Sequence, residues 1–562
     1  MKLNKLSALM AMALSTSVLV GCNFHDKPDL PFLPEIPEVP EVPEIGELEP
    51  DVVVTDIASL QSALTIAVDE NGDGKVVVGL DPKTGPYTNL GDLGIPAGVY
   101  LIGDDGTSTL NNMIEPAVIA GGDACILITN NNVTVSNITF EGVNGACVDD
   151  GDKAVGSRDT ALFILGAGSK TEFASGVRPG DTKPSGITLS DITIDGAGRA
   201  ASTEAAAHDI IVRGQANILN NAFVNKPVEV GTFINVRNDS NAHVDTVISG
   251  NYFYNLNDGA AFVQDEIDGT TDAGSNFNSV DIYAIQVGTS SSKQNNVTNT
   301  QITDNLFEAT AGPRRLLRVR ASGNTISGNT FLNTYGWVSI EGGESNVFDS
   351  NAVLTRGVAS AYQGKYETQL RFIGKGDQVT NNYFYRTVAN ATGNEAGAIS
   401  IWEAQLEEAG DTTLRAPATV ANNTVVNSKQ AFLIGKGDAS CQTDIDLAQS
   451  VIHFKDNLVA NGVKGSTSGN NAYRDDCFLN AASTWEGDVY AVAGLSANGR
   501  IDAAGATDAQ IIADADVEKA SADYEYFEAM AGGNVEGKGA MGLTILTSAD
   551  VGPQSGSTDT AE

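Results

Sequence analysis

Residues 301–353 read QITDNLFEATAGPRRLLRVRASGNTISGNTFLNTYGWVSIEGGESNVFDSNAV. Three times in this stretch an apolar-x-x-Asn-x-apolar unit recurs, as Ile302-x-x-Asn305-x-Phe307, Ile326-x-x-Asn329-x-Phe331 and Phe348-x-x-Asn351-x-Val353. Short alternating strands separate the units. Self-similarity at a period of roughly 20–50 residues is the mark of a solenoid, because one repeat cannot bury its apolar face alone and must stack on its neighbours. The unit extends outward on both sides. It appears at Ile218/Asn221/Phe223 and Ile248/Asn251/Phe253, then at Val379/Asn382/Phe384, Val420/Asn423/Val425 and Phe454/Asn457/Val459. Asparagine in a fixed slot suits a bend, since its amide bonds neighbouring backbone and it tolerates left-handed geometry. Stacked in register, these residues are expected to form a ladder at one bend. The fold expected from these repeats is an all-β solenoid, a stack of β-helix coils, over residues 52–495.

The flanks read differently. Residues 1–22 have the form of an export signal, with Lys2 and Lys5 ahead of an apolar run too short to be a spanning helix. The run ends Leu19-Val20-Gly21-Cys22, which is similar to a bacterial lipobox, so Cys22 is the expected lipidation site. Asn23, in place of an aspartate, points to the outer membrane. Residues 23–51 carry proline at nearly every third position and read as an extended spacer. At Asp56–Val68 apolar residues fall at helical spacing behind an N-capping Asp56, the expected cap of the open end of the solenoid. Residues 496–562 read as a C-terminal cap and flexible tail, with a helix expected over Val517–Met530.

The net charge of −38 excludes nucleic acid as a natural partner and makes any cluster of arginines conspicuous. Such a cluster exists. Arg314, Arg315, Arg318 and Arg320 crowd one strand, with Arg371 and Lys375 two coils on. If Leu317 and Val319 point inward, Arg318 and Arg320 share the outward face. The matching slots of the following coils hold Ser339 and Glu341, then Arg371. Two uses fit: arginine forks that bind a polyanion's carboxylates, or a structural ladder of Arg320–Glu341 ion pairs. Asp69, Asn71 and Asp73 match the front half of a calcium loop, D-x-[DN]-x-[DN]-G, but Leu80 stands where the bidentate glutamate is needed; a polar turn is the other reading. An oxidising compartment permits disulfides among Cys125, Cys147, Cys441 and Cys477. Cys125 and Cys147 are separated by about one solenoid turn; Cys441 and Cys477 would close a loop.

The chain resembles the parallel β-helix polysaccharide lyases of family six, the alginate lyases and chondroitinase B. The segments that carry the resemblance are IQVGTSSS at 285–292, NVTNTQITDNLF at 296–307, SGNTFLNTYG at 327–336, LRFIGKGDQVTNNYFY at 370–385 and TSADVGP at 547–553. The resemblance implies a right-handed, three-faced parallel β-helix, an anionic, uronate-containing polysaccharide as substrate and β-elimination as the reaction. It places the family's catalytic lysine at Arg320, its arginine at Glu341, and two acidic calcium ligands near Pro313 and Arg315. The usual set is therefore not reproduced, and arginine, always protonated, is a poor proton abstractor. In its place Glu341 is the candidate base, the arginines neutralise the substrate carboxylate in calcium's stead, and Tyr283 or Tyr335 supplies the acid. The alternative is a β-helix lipoprotein that binds polysaccharide and has lost the chemistry.

Overall fold

The computed structural model describes residues 48–66, 75–104, 115–149, 159–168, 171–173, 180, 182–199, 206–227, 231–238, 245–256, 282–289, 295–355, 368–372, 375–387, 397–401, 416–428, 430–434, 451–460, 471–475, 482–491, 510–512 and 515–553. Among these residues the three main sheets hold 14, 16 and 14 strands, so each coil gives about one strand to each sheet. Pairing along the coils is parallel, as in Gln301–Thr303 with Thr325–Ser327 and then Val347–Asp349. The chain is a right-handed parallel β-helix, and its ladder extends to Gln510–Ile512. The helix Ile57–Ile66 closes the first end. Asp56 caps it by accepting the Ser59 N–H at 2.7 Å, and Leu60, Ala63 and Leu64 are buried.

Inside the solenoid like stacks on like. Phe223, Phe253, Phe307 and Phe331 are fully buried, with successive ring centroids 5.0, 4.7 and 4.8 Å apart. That is the spacing of neighbouring strands, about 4.8 Å, so the rings stack because the backbone places them so.

The asparagines form the expected ladder at the bend between the first and third sheets. Asn305 donates both its N–H and its Nδ2 to Oδ1 of Asn329, at 3.0 and 2.9 Å. Asn329 does the same to Asn351, and Asn351 to Asn382. The chain of bonds runs from Asn221 to Asn457 and ends on Asp488. Each amide also donates to a carbonyl of the coil before, as Asn329 Nδ2 does to Ile302 at 2.8 Å. The left-handed geometry, expected at these asparagines, falls one residue earlier, at Asp304, Gly328, Ser350 and Asn381, with φ of 54, 65, 55 and 53°. The ladder residue itself keeps ordinary geometry, which frees its amide to serve the stack.

Cys125 and Cys147 form a disulfide. Cys441 and Cys477 lie outside the described residues, as do Cys22, Asp69, Asn71 and Asp73. The stretch Val517–Met530, expected to be helical, is instead an antiparallel hairpin of Val517–Lys519 with Phe527–Ala529. From there the chain runs back along the outside of the third sheet. Ala540 N–H bonds Thr424 Oγ1 at 2.7 Å, Leu546 N–H bonds Thr330 Oγ1 at 2.9 Å, and Gly552 N–H bonds the Gly250 carbonyl at 2.8 Å. This strap covers an apolar stripe of outward residues, Leu306, Leu332, Leu354, Tyr385, Val426 and Ala460. Burying that stripe is the reason for the strap, and it overrides the helical spacing of the segment.

Candidate functional site

The arginine strand is the ten-residue Ala311–Arg320 in the second sheet, flanked by Tyr283–Val287 and Tyr335–Gly342. Leu317 and Val319 point into the core and Arg318 and Arg320 point out, as the alternation requires. Arg318 pairs in register with Ser339, and Ser339 with Arg371. The expected ion pair of Arg320 with Glu341 is present, at 3.1 Å, but their strand positions do not match: Arg320 pairs with Gly342, and Glu341 falls in a register irregularity between Val319–Ile340 and Arg320–Gly342. A bulge of this kind re-aims a side chain.

Here it aims a carboxylate at four guanidiniums. Arg315 Nε donates to Glu341 Oε1. Arg318 Nε and Arg320 Nε each donate to Oε2 at 3.1 Å. Arg371 Nη1 lies 3.8 Å from Oε1, and Ser339 Oγ donates to Oε1 at 3.1 Å. The Glu341 side chain is 0% exposed and those of the arginines 5–13%, so water screens this cluster little. Burial pushes the Glu341 carboxyl up, but Arg315, Arg318, Arg371 and Arg320 together outweigh it and hold it at about 2. A carboxylate so saturated and so weakly basic is ill suited to abstract a carbon-bound proton. The base role expected of Glu341 is not supported by its surroundings.

The aromatic neighbours are part of the same face. Tyr283 OH accepts from Arg318 Nη1 at 2.8 Å, and the Arg318 guanidinium sits 5.4 Å over the Tyr283 ring. Arg371 sits 5.4 Å over the Trp337 ring. Both candidate acids are buried; Tyr335 lies opposite Ala311 at the start of its strand, and Tyr283 meets the arginines through Arg318. Lys375 falls outside this array, in the following bend, where its carbonyl accepts from Ser345 N–H. Arg314 lies on the arginine strand; its side chain is outside the described residues.

Upstream on the same sheet lies a buried charged network with no counterpart among the expected site residues. Arg213 grips Asp149 through Nε and Nη2 at 2.7–3.1 Å, Arg237 Nη2 donates to Asp159 at 2.7 Å, and His208 Nδ1 lies 2.7 Å from Thr232 Oγ1. Burial pushes His208 below its ordinary value, outweighing Asp159. A sequence signal for this row existed. Arg213, Arg237 and Arg320 each follow an inward valine, Val212, Val236 and Val319, and those valines occupy matched positions in the sheet.

The positions where the family resemblance places calcium ligands hold Pro313 and Arg315. Neither supplies a carboxylate, and the Arg315 guanidinium is engaged with Glu341. These residues do not fit a calcium ion there.

The fold and the site define a class: a right-handed parallel β-helix with an arginine-rich array on the outward face of one sheet. Residues 200–471, just under half of the chain, match the family model described as Chondroitinase B. No curated protein matches the chain significantly. Among solved structures it is similar to the PL6 family alginate lyase AlyGC, at 16% identity and a TM-score of 0.60, covering 91% of this chain. The match spans only 59% of that longer protein. It is also similar to a PL6 alginate lyase in complex with a trisaccharide, at 16% identity and TM-score 0.56, covering 91% of this chain and 98% of that one. A third is the alginate lyase AlyF-OU02 in complex with G6, at 17% and 0.57, covering 90% and 95%. The structures show the shared fold; with the family-model match, the chain is related to polysaccharide lyase family six.

Proposed function

We propose that this chain acts on a uronate-bearing anionic polysaccharide of the alginate type by β-elimination, on the outward face that carries the arginine cluster. The observation that carries the reading is the convergence of Arg315, Arg318, Arg320 and Arg371 on one carboxylate, with a phenol on Arg318, in a β-helix related to family-six lyases. In such an elimination the C5 proton leaves and its electron pair becomes the C4–C5 double bond. The C4–O4 bond breaks and the leaving oxygen takes a proton. Negative charge builds on the uronate carboxylate as the C5–H bond breaks, and preorganised guanidiniums stabilise that charge. With Glu341 unsuited to proton transfer, Tyr283 is the group assigned to it. Its phenol oxygen accepts a hydrogen bond from Arg318, which holds it against the cluster.

A second reading is favoured by the saturation of Glu341 and by an arginine at the position of the family's lysine: polysaccharide binding without turnover. The unsaturated product of a lyase absorbs ultraviolet light, so an absorbance assay over alginate, chondroitin and pectin separates the two. A rise on any of the three supports the lyase; a flat trace with retained binding supports the binder. The N-terminal sequence supports export and lipid anchoring at Cys22, facing the outer membrane. On this reading Cys22→Ser takes up no labelled lipid, and uptake by that variant would refute it.

A further inference from the structure

We propose that the arginine cluster is a carboxylate receptor whose resident ligand is the chain's own Glu341, and that a uronate carboxylate binds by taking its place. This rests on the uronate reading above and adds how access to that site is controlled. Three observations carry it. First, Glu341 is held as a bound ligand would be: both oxygens accept, from three arginine Nε groups and from Ser339 Oγ, and its side chain is sealed from water. Second, a uronate presents the same acceptor, a planar carboxylate with two oxygens, so donors that satisfy one satisfy the other. Third, Glu341 is the residue left out of register where Ile340 and Gly342 pair with Val319 and Arg320. Its displacement therefore breaks no pairing with the arginine strand, and the backbone at this irregularity can adjust with the side chain. The consequence is a site closed to anions by an internal competitor. Its apparent affinity is reduced by however strongly Glu341 holds the arginines.

Removing the competitor tests this. In Glu341→Ala the receptor is vacant and its arginines repel one another. Thermal unfolding of this variant should shift upward with added formate, and more than with chloride at equal ionic strength, because only formate fills the receptor. Wild type should respond equally to both salts. A folded Glu341→Ala variant that responds equally to formate and chloride would overturn the proposal. Should that variant fail to fold, Glu341→Gln keeps the volume and removes the charge. It should bind an oligouronate about tenfold or more tightly than wild type, since a neutral amide competes less for the arginines; equal or weaker binding overturns the proposal. Formate rescue of Glu341→Ala with no oligouronate binding by any form would keep the receptor and sink the polysaccharide reading instead.

Discussion

Asp488 ends the asparagine ladder with a group that can ionise where every earlier rung is neutral. It is buried, accepts from Asn457 N–H and Nδ2 at 2.8 and 2.9 Å, and takes a further bond of 3.2 Å from Tyr490 OH. Burial raises its carboxyl from 3.8 to about 6, against the pull of these donors. A raised carboxyl favours the fold at low pH, and that contribution is lost as pH climbs from the unfolded value through the folded one, here between about 4 and 6. Asp488→Asn should therefore stabilise the protein by roughly 1–3 kcal/mol above pH 6 and by little near pH 4. Denaturant midpoints across that range decide it, and an equal gain at all pH values would contradict the assignment. Glu341 has the opposite sign: held at about 2, it contributes stability that is present at neutral pH and lost in acid. At this scale the sequence disclosed the arginines, because four on one short strand stand out in a chain of net charge −38. It also disclosed the Arg320–Glu341 ion pair, but not that Arg315, Arg318 and Arg371 converge on the same carboxylate. Strict alternation set Glu341 opposite Arg320, whereas a one-residue irregularity moved it to the centre of the cluster, and pattern alone carries no trace of that shift.

Among the elements, the bend ladder was legible and the C-terminal strap was not, for a physical reason. Each asparagine serves a local bend and a stack at once, so its spacing repeats along the chain. The strap answers to a surface made by distant coils, and a segment read alone cannot show that surface. The ladder predicts its own sensitivity. Asn329→Ala removes the acceptor of two Asn305 donors and leaves the Ile302 carbonyl without its amide. With these buried groups unmet, the expected cost is roughly 2–4 kcal/mol. Urea unfolding measures it, and a loss below about 0.5 kcal/mol, the level of an ordinary surface substitution, would show that the ladder is incidental.

At the scale of the β-helix, a chain of net charge −38 sets four described arginines around one carboxylate on the outward face of one sheet. On the proposed reading, anionic polysaccharide is attracted to that face, which makes binding dependent on ionic strength. Exposed ion pairs contribute only about 0–1 kcal/mol; those in this nearly dry cluster should contribute more, and each arginine should matter individually. The most direct measurement follows ultraviolet absorbance of alginate with wild type and Arg320→Ala at low and high salt, with oligouronate binding titrated in parallel. The expected result is a rise with wild type, reduced in Arg320→Ala along with binding, and reduced more at low salt than at high. No rise on alginate, chondroitin or pectin, together with oligouronate binding unchanged by Arg320→Ala, would contradict the account.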